Sequence, residues 1–455
     1  MTLEPHAPMP GKSFFRLRIG IVLQLQALLA LAISLGGGGV AYGLHNLAIQ
    51  LFALTILAMN RGAVVGFARN GPRWLLVLVI VTMALPLIQL VPLPSGLWQA
   101  LPGRELVVAS FAVLGLEEGQ WFPVSVDRAR TLVAFCGTLA PATMIVLGSM
   151  LVLPDRLRLV RTFIVLALAA LLLGIVQLGS ANSFGLLYPI TSKPDVLYAT
   201  FANRNSTGLL FVLALALLVA SPIPHRREWL LASVGAGSIL AVGVIITQSR
   251  SSMVLLAIVL AFTAFRVVST ILKGRRGARP VVNPAGILAG VAGLGILLAI
   301  LGSAAMGGRA ADSFERFTQG QTDRPEMWED GIYAAQAYWP VGSGMGTFDE
   351  VFQVYESLEY VSPRRAGRAH NDFIEIAIEG GIFTLLLSLV WLGWSARAAL
   401  GNSLAGAKWL NWGAGVGIGC IALQSLLDYP LRNQSLLCAA ALLIVLLAPL
   451  PRDAT

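Results

Sequence analysis

This chain predicts an all-α polytopic membrane protein of about twelve transmembrane helices, with one large periplasmic loop that contains short helices. Three observations carry that prediction. Of the 455 residues, 56% are hydrophobic and only 12% charged, with a mean hydropathy of +0.76; soluble domains carry about 25% charged residues. Apolar windows of about twenty residues recur along the whole length, which is the length a helix needs to cross a bilayer. These runs are continuous and lack the alternation of a β-barrel. One membrane domain, 1–455, is expected, and residues 307–371 form the large loop within it.

In chain order, the spans are expected at 17–35, 41–59, 74–92, 132–153, 159–179, 205–221, 229–247, 251–272, 284–306, 372–394, 410–427 and 432–450. Lys12, Arg16 and Arg18 precede the first, and Gly39-Val40-Ala41 follows it, so the N-terminus mimics a secretory signal. The apolar run is long for a signal and further spans follow at once, so an uncleaved signal anchor is expected.

The connections between spans then alternate in charge. One side carries Lys12/Arg16/Arg18, Arg61/Arg69/Arg73, Arg156/Arg158/Arg161, Arg226/Arg227, Lys273/Arg275/Arg276/Arg279, Arg397/Lys408 and Arg452, with few acids. By the positive-inside rule that side is cytoplasmic and both termini lie there. The net charge of +9 is therefore topological and does not indicate nucleic-acid binding. Cys136, Cys420 and Cys438 all fall inside apolar spans and read as inert buried thiols.

The opposite side has the longer connections, 93–131, 180–204 and 307–371, and nearly all the remaining acids. The first includes Trp98, Trp121 and a short interfacial helix near 104–115. The third collects Arg309, Arg316, Arg324, Arg364, Arg365 and Arg368 with several carboxylates and aromatics. Within it, Pro325 suits a helix N-terminus, with Glu326, Glu329 and Asp330 in the first turns. Trp328, Ile332, Ala335 and Trp339 form an apolar stripe that should face the membrane or the bundle. Pro340 ends this helix, and Gly342, Gly344 and Gly346 form a turn before Phe348. That turn has no following Lys-Ser/Thr and lies on the wrong side for ATP, so it is no phosphate loop.

Of the four histidines, His370 stands out, because it enters a span at once and is followed by Asn371, Glu375 and Glu379. The last three are spaced four apart, so one helix face carries them into the membrane, where carboxylates need a partner or a task. A neutral histidine there can take a proton from a hydroxyl; the plainer reading is an interfacial histidine beside capping carboxylates. Arg250, in a tight hairpin after Thr247-Gln248-Ser249, reads as a snorkelling cation or as a fixed guanidinium for a lipid diphosphate. Arg204, between Asn203 and Asn205, and Arg324, ahead of the loop helix, offer the same choice. Asp428 and Arg432 in the last hairpin read first as a charge pair within a tight turn.

Taken together, these segments resemble the O-antigen ligase and O-antigen polymerase family of bacterial envelope glycosyltransferases. The resemblance rests on Phe201-Ala202-Asn203-Arg204-Asn205, Gln248-Ser249-Arg250-Ser251, Arg324-x-x-x-Trp328 and Trp339-Pro340-Val341-Gly342-x-Gly344-x-Gly346-x-Phe348. It is completed by His370-Asn371-x-x-Ile374-Glu375-x-x-x-Glu379-x-Gly381 and by Asp428-Tyr429 with Arg432. It covers roughly residues 200–435, with weaker similarity at 93–104 and 125–131. Thr384 departs from it, since the family commonly has Gly three positions after the one matching Gly381.

The resemblance implies a mechanism. A glycan on undecaprenyl diphosphate enters laterally, and its diphosphate docks on Arg250 and Arg324, with Arg204 a weaker candidate. His370 activates an acceptor hydroxyl, on a lipid A core or a growing polysaccharide. Undecaprenyl diphosphate leaves, stabilised by arginines and by neither metal nor cofactor. Asn371, Glu375, Asp428 and Arg432 support the site. The expected partners are thus the lipid-linked glycan, the acceptor and membrane lipids, with no nucleic acid. Ligase and polymerase need the same site. A transporter or lipid flippase fits the span count, but the connection at 222–228 is short and no repeated half is visible. A structural assembly protein is the third class.

Overall fold

The computed structural model describes residues 11–39, 41–116, 119–183, 187–188, 194–223, 226–274, 324–359, 366–401 and 407–451. The expected span 284–306 and Arg309, Arg316, Arg364 and Arg365 lie outside these residues. The first helices are α1 (Gly11–Leu35), α2 (Gly43–Met59), α3 (Arg61–Asn70) and α4 (Arg73–Gln89). A short pair of strands, β1 (Pro92–Leu93) and β2 (Phe122–Pro123), brackets α5 (Ser95–Trp98) and α6 (Glu105–Val113). Then come α7 (Arg128–Gly137), α8 (Leu139–Gly148), α9 (Leu153–Gly179), α10 (Arg204–Ala220), α11 (Arg227–Ile246) and α12 (Arg250–Gly274). After the undescribed stretch follow α13 (Arg324–Ala337), α14 (Phe348–Tyr355), α15 (Asp372–Gly401), α16 (Lys408–Ser425) and α17 (Gln434–Leu447).

Each expected span within the described residues coincides with a helix or, at 132–153, with the α7–α8 pair. Five helical segments there are long and apolar enough to cross a membrane, and a sixth counts if α2 and α3, bent by 78°, form one span. This is an integral membrane protein built from helices. Two of the shorter apolar helices, α10 and α17, have a different reason for their length. Residues 206–217 of α10 are buried without a break, as is most of α17. A helix apolar on every side and enclosed on every side is a central one, so neighbouring helices, not lipid, surround these two. The α16 backbone comes close to α10: a Cβ on Gly413 would sit 2.2 Å from the Ala220 Cβ, the small-residue contact that lets membrane helices approach.

Arg156, counted above as a topological charge, is 1% exposed. It donates to the carbonyls of Ser149 (2.9 Å), Leu151 (3.1 Å), Val445 (2.7 Å) and Pro449 (3.0 Å), and so caps the ends of α8 and α17. Arg266 does the same for α10 through the Ser221 carbonyl (2.8 Å), its guanidinium 5.5 Å from the Trp409 ring centre. The opposite ends of α10 and α17 adjoin His370, so both central helices run from a basic, capped end to the polar site.

At the His370 end, the connections fold into a small polar module. Pro92 pairs with Pro123 and Leu93 with Phe122, antiparallel, and Trp98 is buried against Phe111 and Phe122. The expected helix near 104–115 is α6. The loop helix α13 begins at Arg324 and ends before Pro340 as anticipated, and its apolar stripe is partly exposed. Ile332 and Trp339 are 50% and 43% exposed, while Asp330, Gly331 and Ala334 are buried. The contact with α15 is so close, with Gly331 over Ile374, that small residues line it and large ones are turned away. A second short helix, α14, follows the glycine turn and packs Phe348, Val351 and Phe352 against Ala334, Tyr338 and Ile378.

Candidate functional site

A break in α15 organises the site. Gly381 has φ 56° and ψ −140°, and a Cβ there would lie 2.0 Å from the Pro340 carbonyl oxygen. In an unbroken helix the Ile382 amide would bond to the Ile378 carbonyl. Instead it bonds to Pro340 O (3.0 Å), and Ile378 O accepts from Ser343 N (2.9 Å). Glu379 O accepts from Gly344 N (2.8 Å) and from the Gln89 amide (2.9 Å). The glycine turn is therefore a clasp on a broken helix, and its three glycines all have positive φ. Arg104, fully buried, braces the clasp through Gly342 O (3.2 Å) and Val124 O. Burial lowers the pKa of Arg104, which Tyr338 and Glu105 oppose. Thr384, the departure from the family pattern, puts its hydroxyl 2.6 Å from Ile376 O and 3.0 Å from Gly381 O, where the break frees carbonyls.

The break leaves the first turns of α15 held at fixed angle to the rest, and these carry Asp372, Glu375 and Glu379. Glu375 and Glu379 are fully buried. Arg432 lies 3.1 Å from Glu375, 2.8 Å from Glu379 and 3.4 Å from Asp372. Arg368 meets Glu375 at 3.1 Å, and Ala369 N donates to the same carboxylate at 3.0 Å. Asp372 further accepts from Ser425 Oγ (2.9 Å). Charges buried at this depth persist only when paired and hydrogen-bonded. The spacing of Glu375 and Glu379 is thus structural: both grip Arg432. The charge pair expected between Asp428 and Arg432 does not form, because each side chain points to a different partner.

Asp428 pairs with His370. Their Oδ1 and Nδ1 atoms are 3.0 Å apart, with side-chain exposures of 2% for Asp428 and 34% for His370. The other carboxylate oxygen accepts from Asn203 Nδ2 at 3.0 Å. A carboxylate at Nδ1 makes that nitrogen the N–H of the neutral ring and leaves Nε2 as the basic lone pair. His370 itself takes φ 51°, and the next residue caps α15: Asn371 Oδ1 accepts from Phe373 N (2.9 Å) and Ile374 N (3.2 Å). Trp328 holds the preceding residue, its indole N–H donating to Ala369 O at 2.9 Å. The Tyr429 ring lies 5.0 Å from the imidazole. Burial, with Asp428 adding to it, pushes the Tyr429 hydroxyl up to about 12.

His370, Arg368, Arg432, Asn203, Tyr429 and Arg130 line a cavity of about 980 Å³, with Glu326, Asp330, Asp349 and Glu356 also on its walls. Arg130, opening α7, reaches Glu350 (2.8 Å) and Asp349 (3.7 Å). A second cavity of about 430 Å³ adjoins it, lined mainly by apolar residues of α2, α4, α7, α8, α15, α16 and α17. Arg130, Arg368 and Arg432 line both.

The structure places His370, Glu375, Asp428 and Arg432 in two neighbouring clusters, His370 with Asp428 and Glu375 with Arg432, while Asn371 caps the helix that carries Glu375. Arg204 opens α10 beside Asn203, Arg324 opens α13 one turn before the lining Met327, and Arg250 opens α12. None of these three lines the larger cavity, although Ser252, two residues after Arg250, approaches Asn205 O at 3.3 Å. Sequence reasoning passed over Arg130, Asn203 as the anchor of Asp428, and Gln89. The one signal for Arg130 was a basic residue opening a span on the acidic side.

Two comparisons bear on this site. Residues 235–389 match the family model described as O-antigen ligase. The exopolysaccharide production protein ExoQ of Rhizobium meliloti (strain 1021) is 26% identical over 200 residues. That match spans 41% of this chain and 43% of ExoQ, less than half the length of either. The family segment takes in Arg250, Arg324, His370, Glu375 and Glu379, and stops short of Asp428 and Arg432. Over residues 235–389, which hold His370 and the first part of the helix that follows it, this integral membrane protein is similar to the O-antigen ligase family.

Proposed function

We propose that the protein is a glycosyltransferase that moves a glycan from undecaprenyl diphosphate to an acceptor hydroxyl in surface polysaccharide assembly. The observation that carries this reading is the Asn203–Asp428–His370 chain on the wall of a cavity that meets an apolar cleft at three arginines. Such a site can hold a sugar, a diphosphate and a lipid at once, in that order.

In the reaction, His370 Nε2 takes the proton of the acceptor hydroxyl, and Asp428 steadies the imidazolium that forms. The acceptor oxygen attacks the anomeric carbon, and the bond from that carbon to the diphosphate oxygen breaks. The released undecaprenyl diphosphate carries the developing charge toward guanidinium groups. Arg130 and Arg368, which line the cavity, join Arg250, Arg324 and Arg204 as the candidates. This role for arginine leaves no step that needs a metal ion.

The alternating loop charges support an active face on the periplasmic side of the inner membrane, both termini in the cytoplasm, about twelve spans and 307–371 as a periplasmic loop. Nucleotide sugars are absent from that side, which favours a lipid-linked donor. A polymerase, using the same site on a growing chain, is favoured by the relative's description as an exopolysaccharide production protein. A lipid A core acceptor would make the protein a ligase.

The test is His370→Ala, expressed at the wild-type level in the membrane. Surface polysaccharide should be lost, and wild-type glycan in that strain would overturn the reading. In a deletion strain, polymerised glycan held on its carrier indicates a ligase, and single repeats on the carrier indicate a polymerase.

A further inference from the structure

The apolar cleft beneath the site limits how much of a lipid carrier the protein reads. Its upper end is formed by Arg130, Arg368 and Arg432, and its walls include Met83, Val133 and Trp391. A diphosphate resting on those guanidiniums would direct the first carbons of its lipid into the cleft and its sugar into the larger cavity. The cleft holds about 430 Å³. At roughly 30 Å³ per methylene-sized group, close to a water's share of liquid volume, that is room for about 14 carbon atoms. Three isoprene units contain about that many.

From this volume and its continuity with the arginines, we infer that the cleft takes the first three or so isoprene units of a polyprenyl diphosphate and leaves the rest among the membrane lipids. The inference rests on the transferase reading above, and it adds a limit on the carrier. A short-chain diphosphate binds from water, so each of its carbons that enters the cleft gains burial free energy. Carbons beyond it exchange one apolar medium for another and add nothing, since lipid tails are as apolar as leucine. Affinity should therefore climb with chain length and then stop climbing.

The experiment measures binding of dimethylallyl, geranyl, farnesyl, geranylgeranyl and undecaprenyl diphosphates to the full-length protein in detergent. Trp391, on the cleft wall, supplies a fluorescence signal. The dissociation constant should fall at least about tenfold per unit up to farnesyl, given the free energy of burying five carbons, and change by less than about threefold beyond it. Ser388 also lines the cleft, about 10 Å along α15 from the break at Gly381 by helical rise. Ser388→Phe should remove the gain between geranyl and farnesyl and leave dimethylallyl diphosphate binding unchanged; Ser388→Ala should behave as wild type.

A tenfold or greater improvement from farnesyl to undecaprenyl would overturn the inference. So would affinity independent of length, which is what a cleft filled by a phospholipid chain would give. The transferase reading fails separately. If His370→Ala keeps its surface glycan while the length profile holds, the cleft stands and the transferase falls. If the glycan is lost but the profile is absent, only the cleft inference falls.

Discussion

Asp428 Oδ1 lies 3.0 Å from His370 Nδ1 across 58 residues of chain, and this one contact orients the imidazole proposed above as the base. The carboxylate fixes which ring nitrogen carries the proton and meets the charge the ring acquires. Asp428→Asn keeps the shape and reverses the tautomer preference, since an amide nitrogen donates to the ring where the carboxylate accepted from it. Transfer in the Asn variant should fall by a factor of about 10²–10⁴, the usual contribution of general base catalysis. The double variant with His370→Ala should be no worse than His370→Ala alone, because residues that act as a unit are not additive. Membrane extracts assayed for glycan transfer read both numbers, and additive losses would separate the two roles.

Arg432 answers three buried carboxylates, so its loss strands charge instead of merely removing a contact. Arg432→Ala should destabilise the folded protein by about 3–5 kcal/mol, the cost of breaking a buried ion pair from one side. Glu379→Gln, which keeps a hydrogen-bond acceptor for Arg432 and leaves Glu375 and Asp372 in place, should cost distinctly less. Thermal unfolding in detergent, followed by the loss of monodisperse protein, ranks the two. Equal stabilities would mean that the network is open to water.

Gly381 tolerates no side chain. A Cβ would strike the Pro340 carbonyl at 2.0 Å, and φ 56° disfavours any L residue. Strain of this kind costs about 1–3 kcal/mol before the clash is counted. Gly381→Ala should therefore lower both stability and transfer, since the clasp from Pro340 to Gly344 would have to move. Gly393, later in the same helix with open space around it, is the control: Gly393→Ala should match the wild type.

These sites differ in how far the chain announces them. The helices were legible because an apolar window of membrane length has few alternatives. The spacing of Asn371, Glu375 and Glu379 was legible for a similar reason, because a helix puts fourth neighbours on one face. Their partner was not: Arg432 lies 53 residues beyond Glu379, and only packing decides that it turns to α15 instead of to Asp428. The break at Gly381 was hidden because glycine is common in membrane helices. The face of α13 that packs on α15 was not legible, because Gly331 and Ala334 carry little apolar signal where backbones nearly touch. Arg130 has only a weak local signal, a basic residue opening a span on the acidic side.

Alkaline pH should loosen the polar module. Burial pushes the Tyr338 and Tyr429 hydroxyls each up to about 12, against about 10 for tyrosine in an unfolded chain. A raised folded pKa gives stability that is complete below about pH 10 and is lost as pH climbs toward 12, because the unfolded chain releases those protons first. The melting temperature should thus fall across that window. Tyr338→Phe, whose ring can still pack beside Arg104, should flatten the fall. An unchanged slope in Tyr338→Phe would assign the alkaline loss to other groups.

Arg130 lies where the two cavities meet, and it is held there by acids that a substrate diphosphate would replace. Its bonds to Glu350 and Asp349 are 2.8 Å and 3.7 Å, on a side chain 39% exposed. An exposed pair of this kind is worth at most about 1 kcal/mol, so it can open at small cost when a stronger anion arrives. If Arg130 receives the diphosphate, Arg130→Gln should raise KM for the lipid-linked donor about tenfold, since a charge-assisted hydrogen bond contributes about 1.5–3 kcal/mol. Glu350→Gln should instead lower KM, because it removes the anion that competes for the same guanidinium. A structural role for the pair predicts the opposite pattern, with both variants less stable and KM unmoved. Measuring KM and the melting temperature on the two variants side by side distinguishes these outcomes.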